Sequence, residues 1–319
     1  MSNSIPNTGE IKWSVLRDTF GGSNPVRISD YYTSSASGLT TGVTGLPSNN
    51  SQPFQLSTFR GKSKAAPVVI YQIPTFTSCG ASYNAGPTTA QMQATYSNLY
   101  NTIITRGNFD GYQVLTVQET GTYQITCYGA QGGSWNIAGY GSGAIMQGSF
   151  NLTAGQKLII IVGQAGANGG QPVGSGGGGS FVVDAASSNV PMICAGGGGG
   201  GGCTPSENFV AYSSTGVQYP PATSSATGGY QPGSGFTAAG GGGTFSTGFG
   251  GSTGYGVGGF GGGGAGGNSS GSRYGGGGGG FSGGYFCYGG TSYINTAICS
   301  SYSNLGTWTG NGKVTIVKQ

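Results

Sequence analysis

Seven consecutive glycines at 196–202 set the tightest limit on what this chain can fold into. Shorter runs repeat at 176–179, 240–243, 261–264 and 275–280. Glycine loses more backbone freedom on folding than any other residue, so such runs stay disordered unless specific bonds hold them. A flexible spacer would be Gly/Ser-rich and nearly free of large apolar residues. Here the runs are flanked by Phe181, Val182 and Val183, by Pro191, Met192, Ile193 and Cys194, and by Phe281, Tyr285 and Phe286. That bracketing favours order over a disordered spacer.

An ordered glycine run can be a bundle of polyglycine-II helices, which share the polyproline-II geometry of about three residues per turn and about 3.1 Å rise per residue. Such a helix has no internal hydrogen bonds, so its N–H and C=O groups must bond neighbouring helices. Only residues without a Cβ let backbones come that close. Collagen is excluded, because there is no Gly-X-Y period and the chain holds only 13 Pro.

Composition narrows the class further. Glycine is 72 of 319 residues, charged residues are only 6% and aromatics reach 11%. Disordered chains combine high charge with few aromatics, so this one reads as folded. The net charge of +4 is thinly spread, with one cluster at Arg60, Lys62 and Lys64 that reads as a solvated turn. A nucleic-acid surface would need denser Lys/Arg on one face, so no nucleic-acid partner is expected. No stretch approaches 18 apolar residues and no secretory signal is visible, so membrane insertion is not expected. The six cysteines (79, 127, 194, 203, 287, 299) form no C-x-x-C pair and histidine is absent, which excludes a conventional zinc site. Their disulfide pairing cannot be deduced from the spacing.

Residues 1–66 read as an irregular extension and 67–319 as the main glycine-rich domain. A short pattern recurs in the extension as IKWSVLR at 11–17, VRISDYY at 26–32 and FQLSTFR at 54–60. Serine can cap a single helical turn there while the flanking apolar residues point into a neighbour. So few apolar residues between Gly/Pro/Asn breaks could hardly form a core of their own. The segment is therefore expected to dock on a partner through Trp13, Leu16, Phe20, Ile28, Tyr31 and Tyr32. Its Ile11, Ser14, Leu16, Phe20, Gly21, Gly22, Asn24, Pro25, Val26, Ser29, Asp30 and Tyr31 resemble N-terminal motifs of virion and tail-fibre proteins of phages and large DNA viruses.

Strand signals dominate the rest. Residues 68–71 are a short apolar run, while 112–117 and 122–127 alternate. Thr120 and Gly121 between the latter two predict an antiparallel hairpin. Residues 144–150 and 157–162 follow, the second apolar on both faces and so expected at the centre of a sheet. Residues 313–317 alternate again and are expected to close a sheet as the last strand. Helical signal is weak, with one helix predicted within 88–104. The glycine runs begin and end between strands, so they read as long excursions from one sandwich.

A family resemblance emerges at FTSCGA (76–81), Gly86, Pro87, Thr88, Ala90, Gln91 and Tyr96. It continues through GYQV (111–114), GTYQI (121–125), YGAQGG (128–133), LIIIVGQ (158–164) and GGGGSFV (176–182). Over about 74–319 the chain resembles the glycine-rich domain of the anaplastic lymphoma kinase and leukocyte tyrosine kinase receptor ectodomains. The resemblance implies an all-β fold: a tumour-necrosis-factor-like antiparallel β-sandwich with an inserted slab of polyglycine-II helices. In the receptors that unit binds a protein ligand, and a comparable slab forms the receptor-recognising tip of some phage adhesins. One departure is Met92, where the family often has a second cysteine; it leaves Cys79 without the implied partner.

Catalytic signals are missing. The seven carboxylates are scattered and there is no histidine to serve a Ser or Cys nucleophile, so no enzyme activity and no cofactor are expected. Recognition remains. Aromatics on a rigidly held loop offer contact area at low entropy cost, which singles out Tyr212, Tyr219, Tyr230, Phe236, Phe245 and Phe249 as host-surface contacts. The competing reading is that these rings cap the glycine slab. The expectation is a non-enzymatic structural or adhesion protein of a virion or tail fibre. Its partners would be other virion proteins and a host-surface glycan or protein, with a homotrimer expected by analogy with fibres and this sandwich class. A purely architectural virion component and a glycan-active tail enzyme are the alternatives.

Overall fold

A computed structural model describes residues 18–19, 59, 70–82, 84–134, 139–168, 173–187, 191–203, 208–209, 217–218, 261–269, 272–284 and 287–319. The chain divides into two compact units, Met1–Ile70 and Tyr71–Gln319. The repeated motifs at 11–17 and 26–32 and all six docking residues, from Trp13 to Tyr32, lie outside the described residues; in the first unit Asp18 and Thr19 are helical and Phe59 is fully buried.

The second unit is all-β and almost wholly antiparallel. Its strands are β1 (Ile104–Arg106), β2 (Gln113–Thr116), β3 (Gly121–Tyr128), β4 (Gly143–Leu152), β5 (Lys157–Ile161), β6 (Ser180–Asp184) and β7 (Pro191–Ala195). The short β8 (Gly202–Cys203), β9 (Asn208–Phe209), β10 (Val217–Gln218), β11 (Gly267–Ser269) and β12 (Ser272–Tyr274) follow. The chain ends with β13 (Ser292–Ile294), β14 (Cys299–Trp308) and β15 (Lys313–Lys318). A seven-stranded sheet has the order β1-β2-β5-β6-β7-β13-β10, and a four-stranded sheet has the order β14-β4-β3-β15. Among the described strands, β10 and β13 are the only pair that runs parallel. The pairs β8–β9 and β11–β12 stand apart.

Alternation builds the sandwich. Tyr123, Ile125 and Cys127 of β3 and Met146, Phe150 and Leu152 of β4 point to one side of the smaller sheet. They share one core with Leu115, Leu158, Ile160, Val182, Ile193 and Ile294 of the larger sheet. The larger sheet is buried on its other face too, where Ile161, Phe181, Val183 and Cys194 pack with Phe281 and Tyr293. This double burial is why β6 and β7 are continuous apolar runs rather than alternating ones. The predicted central strand is β5, third of seven and nearly all apolar. The predicted last strand is β15, which pairs with β3 from Lys313↔Tyr128 to Lys318↔Tyr123 at one edge of the smaller sheet.

Two expectations are corrected. The strands at 112–117 and 122–127 do not form a hairpin: β2 pairs with β1 and β5 in one sheet, and β3 with β4 and β15 in the other. The chain leaves the first sheet at Gln118. The amide side chain of Gln118 accepts from the Tyr71 N–H at 2.8 Å and donates to the Tyr71 carbonyl at 2.6 Å. The run at 68–71 contributes no strand where it is described, since Ile70 and Tyr71 lie outside every sheet.

The predicted helix is α1 (Thr89–Tyr96), extended by a 3-10 turn at Ser97–Leu99. Thr88 caps it reciprocally: its hydroxyl accepts from Gln91 N–H, and Gln91 Oε1 accepts from Thr88 N–H at 2.8 Å. Met92 and Tyr96 are its buried residues, and both join the sandwich core beside Cys79.

Candidate functional site

The glycine stretches are built as layers. In one layer Gly197 N–H donates to Gly279 O, Gly279 to Gly177, Gly177 to Gly198, Gly198 to Ala130 and Ala130 to Gly178, all between 2.7 and 2.9 Å. A second layer runs from Gly200 to Gly276, Gly174, Gly201, Gly133 and Ser175, between 2.6 and 3.0 Å. Each residue of the second layer stands three positions from its counterpart in the first. The numbering rises in 130–133 and 197–201 and falls in 174–178 and 276–279, so stretches of both directions alternate within one lattice.

The stretch 196–201 is the hub. Besides the two layers it accepts from Gly141 and Ala144 through Gly199 O and Gly196 O, and from Gly290 through Gly197 O. Every residue of it is buried. A Cβ at Gly198 would stand 1.8 Å from Gly141 O, and one at Gly199 would stand 1.8 Å from Cys287 O. Both obstacles are backbone atoms, and Gly141 O is held in place by accepting from Gly132 N–H at 2.9 Å. A Cβ at Gly197 and one at Gly200 would meet the same neighbouring stretch, at Gly177 O and Gly174 O. The lattice is continuous with the sandwich through Ser180, whose hydroxyl donates to Tyr128 O at 2.6 Å and accepts from Gly163 N–H.

Polar groups inside the unit are used structurally. Gln113 is fully buried; its Oε1 accepts from the Tyr96 hydroxyl and its Nε2 donates to Thr77 O at 2.9 Å. Burial first, and the neighbouring Cys79 second, push the Tyr96 phenol well above its usual range. Burial likewise pushes up the thiols of Cys127, Cys194, Cys287 and Cys299, so they stay protonated and weakly nucleophilic at neutral pH. Cys79, Cys127, Cys194, Cys287 and Cys299, the cysteines whose side chains are described, are free thiols. Of the carboxylates, Asp110 pairs with Arg106, Glu119 pairs with Lys318, and Asp184 accepts from Gln156 Nε2. Among the described residues no cluster of His, Cys, Asp or Glu could hold a metal ion.

Among the described residues the exposed surface carries large aromatic and aliphatic side chains beside exposed Arg106, Asp110, Lys157 and Lys318. Phe109, at the turn between β1 and β2, is 67% exposed and meets Tyr112 edge-on at 5.4 Å. Tyr140 and Tyr288 are exposed where the chain enters and leaves the lattice, Ile298 is exposed just before β14, and Tyr302 and Leu305 are exposed along it. Lys313 lies over the rings of Tyr128 and Trp308 at 4.4 and 4.2 Å. Phe109 was missed at the sequence level; an aromatic between Asn and Asp-Gly in a turn is the one signal that could have found it. The six predicted host-surface residues, Tyr212, Tyr219, Tyr230, Phe236, Phe245 and Phe249, all lie outside the described residues.

No family model matches this chain. Part of it is similar to leukocyte tyrosine kinase receptor of Mus musculus, with 36% identity over 104 residues. The similarity covers 30% of this chain and 12% of the receptor, so it concerns a segment of each protein.

Proposed function

We propose that this chain is a non-enzymatic structural and adhesion protein of a virus particle or tail fibre. Residues 1–66 dock on other virion proteins, and the glycine-rich unit projects toward a host-surface glycan or protein. The observation that carries the reading is the pair of hydrogen-bonded layers three residues apart. That repeat is the one expected of polyglycine-II helices packed side by side, at about three residues per turn. A body held by backbone bonds alone is stiff without a large apolar core, which suits a mount for recognition loops. The partial likeness to leukocyte tyrosine kinase receptor supports kinship with its glycine-rich ectodomain module and a tumour-necrosis-factor-like course of the sandwich.

Tyr212, Tyr219, Tyr230, Phe236, Phe245 and Phe249 are the proposed host contacts. Replacing Tyr212, Tyr219 and Tyr230 together by Ser tests this: host adsorption falls while the protein still assembles on particles. Unchanged adsorption with an intact fold favours a purely architectural role instead. Deletion of 1–66 tests docking, and particles that retain the shortened protein would overturn it.

A further inference from the structure

We propose that Cys79 and Gln113 join as an intramolecular thioester, a covalent cross-link between the segment before α1 and the first residue of β2. The two residues are 34 positions apart in the chain and meet in the interior, where the thiol sulfur lies 3.9 Å from Gln113 Oε1. Cys79 is 8% exposed and Gln113 is fully buried.

The backbone holds that thiol in place against its own preference. Ser78 O accepts from Ala81 N–H at 2.9 Å, closing a tight turn whose central residues, Cys79 and Gly80, have φ of 51° and 79°. Glycine and asparagine are the usual occupants of such left-handed positions, so a cysteine there is strained. Strain of this kind is kept where it sets a side chain in place for a task.

The neighbours supply what an acyl transfer needs. Gln113 Oε1 accepts from the Tyr96 hydroxyl at 2.5 Å, so charge that builds on that oxygen as sulfur attacks meets a donor already in position. Burial, with Cys79 as the second cause, keeps the Tyr96 phenol protonated. Thr77 O accepts from Gln113 Nε2 at 2.9 Å and from the Cys79 thiol at 3.6 Å. The proton to be moved and the nitrogen that receives it therefore converge on one carbonyl.

The step balances without an oxidant. Cys79 Sγ adds to Gln113 Cδ, the Sγ–H bond breaks and its proton passes to Nε2, and the Cδ–Nε2 bond then breaks to release ammonia. The free thiol and the intact amide are the reactants, held together by the fold. Departure of ammonia into bulk solvent draws the step forward, and burial shields the product from water. The link constrains the unfolded chain as a disulfide would.

Intact mass spectrometry of the full chain reads the step directly. The expected mass is that of the unlinked chain less one ammonia. Unfolding in methylamine then adds one methylamine, placed on Gln113 by tandem spectra, and frees one further thiol, Cys79, for iodoacetamide. Cys79→Ala separates this from ammonia lost elsewhere, for instance at Asn311 before Gly312: the variant shows no deficit and takes up no methylamine. Should that variant fail to fold, the tandem assignment on the unsubstituted chain decides alone. A mass without the deficit, a deficit that survives Cys79→Ala, or a Cys79 alkylated as fully before methylamine as after it overturns the proposal.

Discussion

The Tyr96 hydroxyl donates to Gln113 Oε1 at 2.5 Å, joining the last turn of α1 to the first residue of β2. With Gln113 Nε2 on Thr77 O, the amide ties three separate stretches into the core. Tyr96→Phe removes the donor and leaves the buried Gln113 oxygen with only the Cys79 thiol at 3.9 Å. The expected loss is about 1–3 kcal/mol of unfolding free energy. Urea denaturation of Tyr96→Phe, of Gln113→Met and of the double variant measures it, and the two effects should be strongly non-additive.

Stability should fall on the alkaline side. Buried Tyr96, Cys127 and Cys194 have folded-state pKa values raised above their ordinary values of 10.0 for the phenol and 9.0 for the thiols. A raised pKa means that the unfolded chain gives up its proton first, so the stabilisation is complete below pH 9 and declines above it as the unfolded thiols ionise. The midpoint of urea unfolding should be flat from neutral pH to about that point and then drop. Cys127→Ala and Cys194→Ala should make the drop shallower than in the unsubstituted protein.

Thiol labelling gives a related order. Of the five cysteines whose side chains are described (79, 127, 194, 287 and 299), Cys299 alone is not buried, while Cys127 and Cys194 are completely so. Among these five, a small maleimide at neutral pH should modify Cys299 first, with Cys127 and Cys194 reacting only after denaturation. Mass spectrometry of peptides taken over time reads the order directly.

The lattice should tolerate no methyl group. Gly198→Ala sets a Cβ at 1.8 Å from Gly141 O, against backbone that is bonded in place. The expected cost is about 3 kcal/mol or more, the upper end of overpacking. Gly139→Ala is the control, because nothing lies within 4 Å of its added Cβ. Thermal melts of the two variants should differ widely.

Phe281 covers the outer face of the larger sheet, stacked on Tyr293 with centroids 4.2 Å apart and ring planes at 12°. Phe281→Ala should cost about 3 kcal/mol or more by opening a cavity against Phe181 and Val183. Phe281→Leu should cost clearly less, as it keeps most of the apolar contact.

Where one face of a strand meets the core and the other meets water, its register was legible from the residues alone. Tyr123, Ile125 and Cys127 show this, as does Ile316 of β15 beside Val314. Elsewhere the code is silent. Phe181 to Val183 and Pro191 to Cys194 read only as apolar brackets, because burial on both faces erases alternation. Residues 299–308 read as nothing at all, because exposure on both faces erases it equally. The false hairpin at Thr120 and Gly121 had a local turn signal, but the side-chain bonds from Gln118 to Tyr71 that carry the chain across the sandwich span 47 positions. The recognition residues proposed at 212–249 lie outside the described residues, so the lattice and not its loops is what the geometry describes.

The hub at 196–201 donates to the carbonyls of Gly276 and Gly279 and accepts from Gly290 N–H, and all three follow it in the chain by many residues. It therefore cannot settle during synthesis when it emerges from the ribosome. Until Gly290 arrives, those glycines have water and the earlier stretches at 130–133, 141–144 and 174–177 to bond with. Assembly of the lattice is a late, closing event, and a chain truncated before that point would retain the sandwich strands β2 to β7 without the body that they are built to carry.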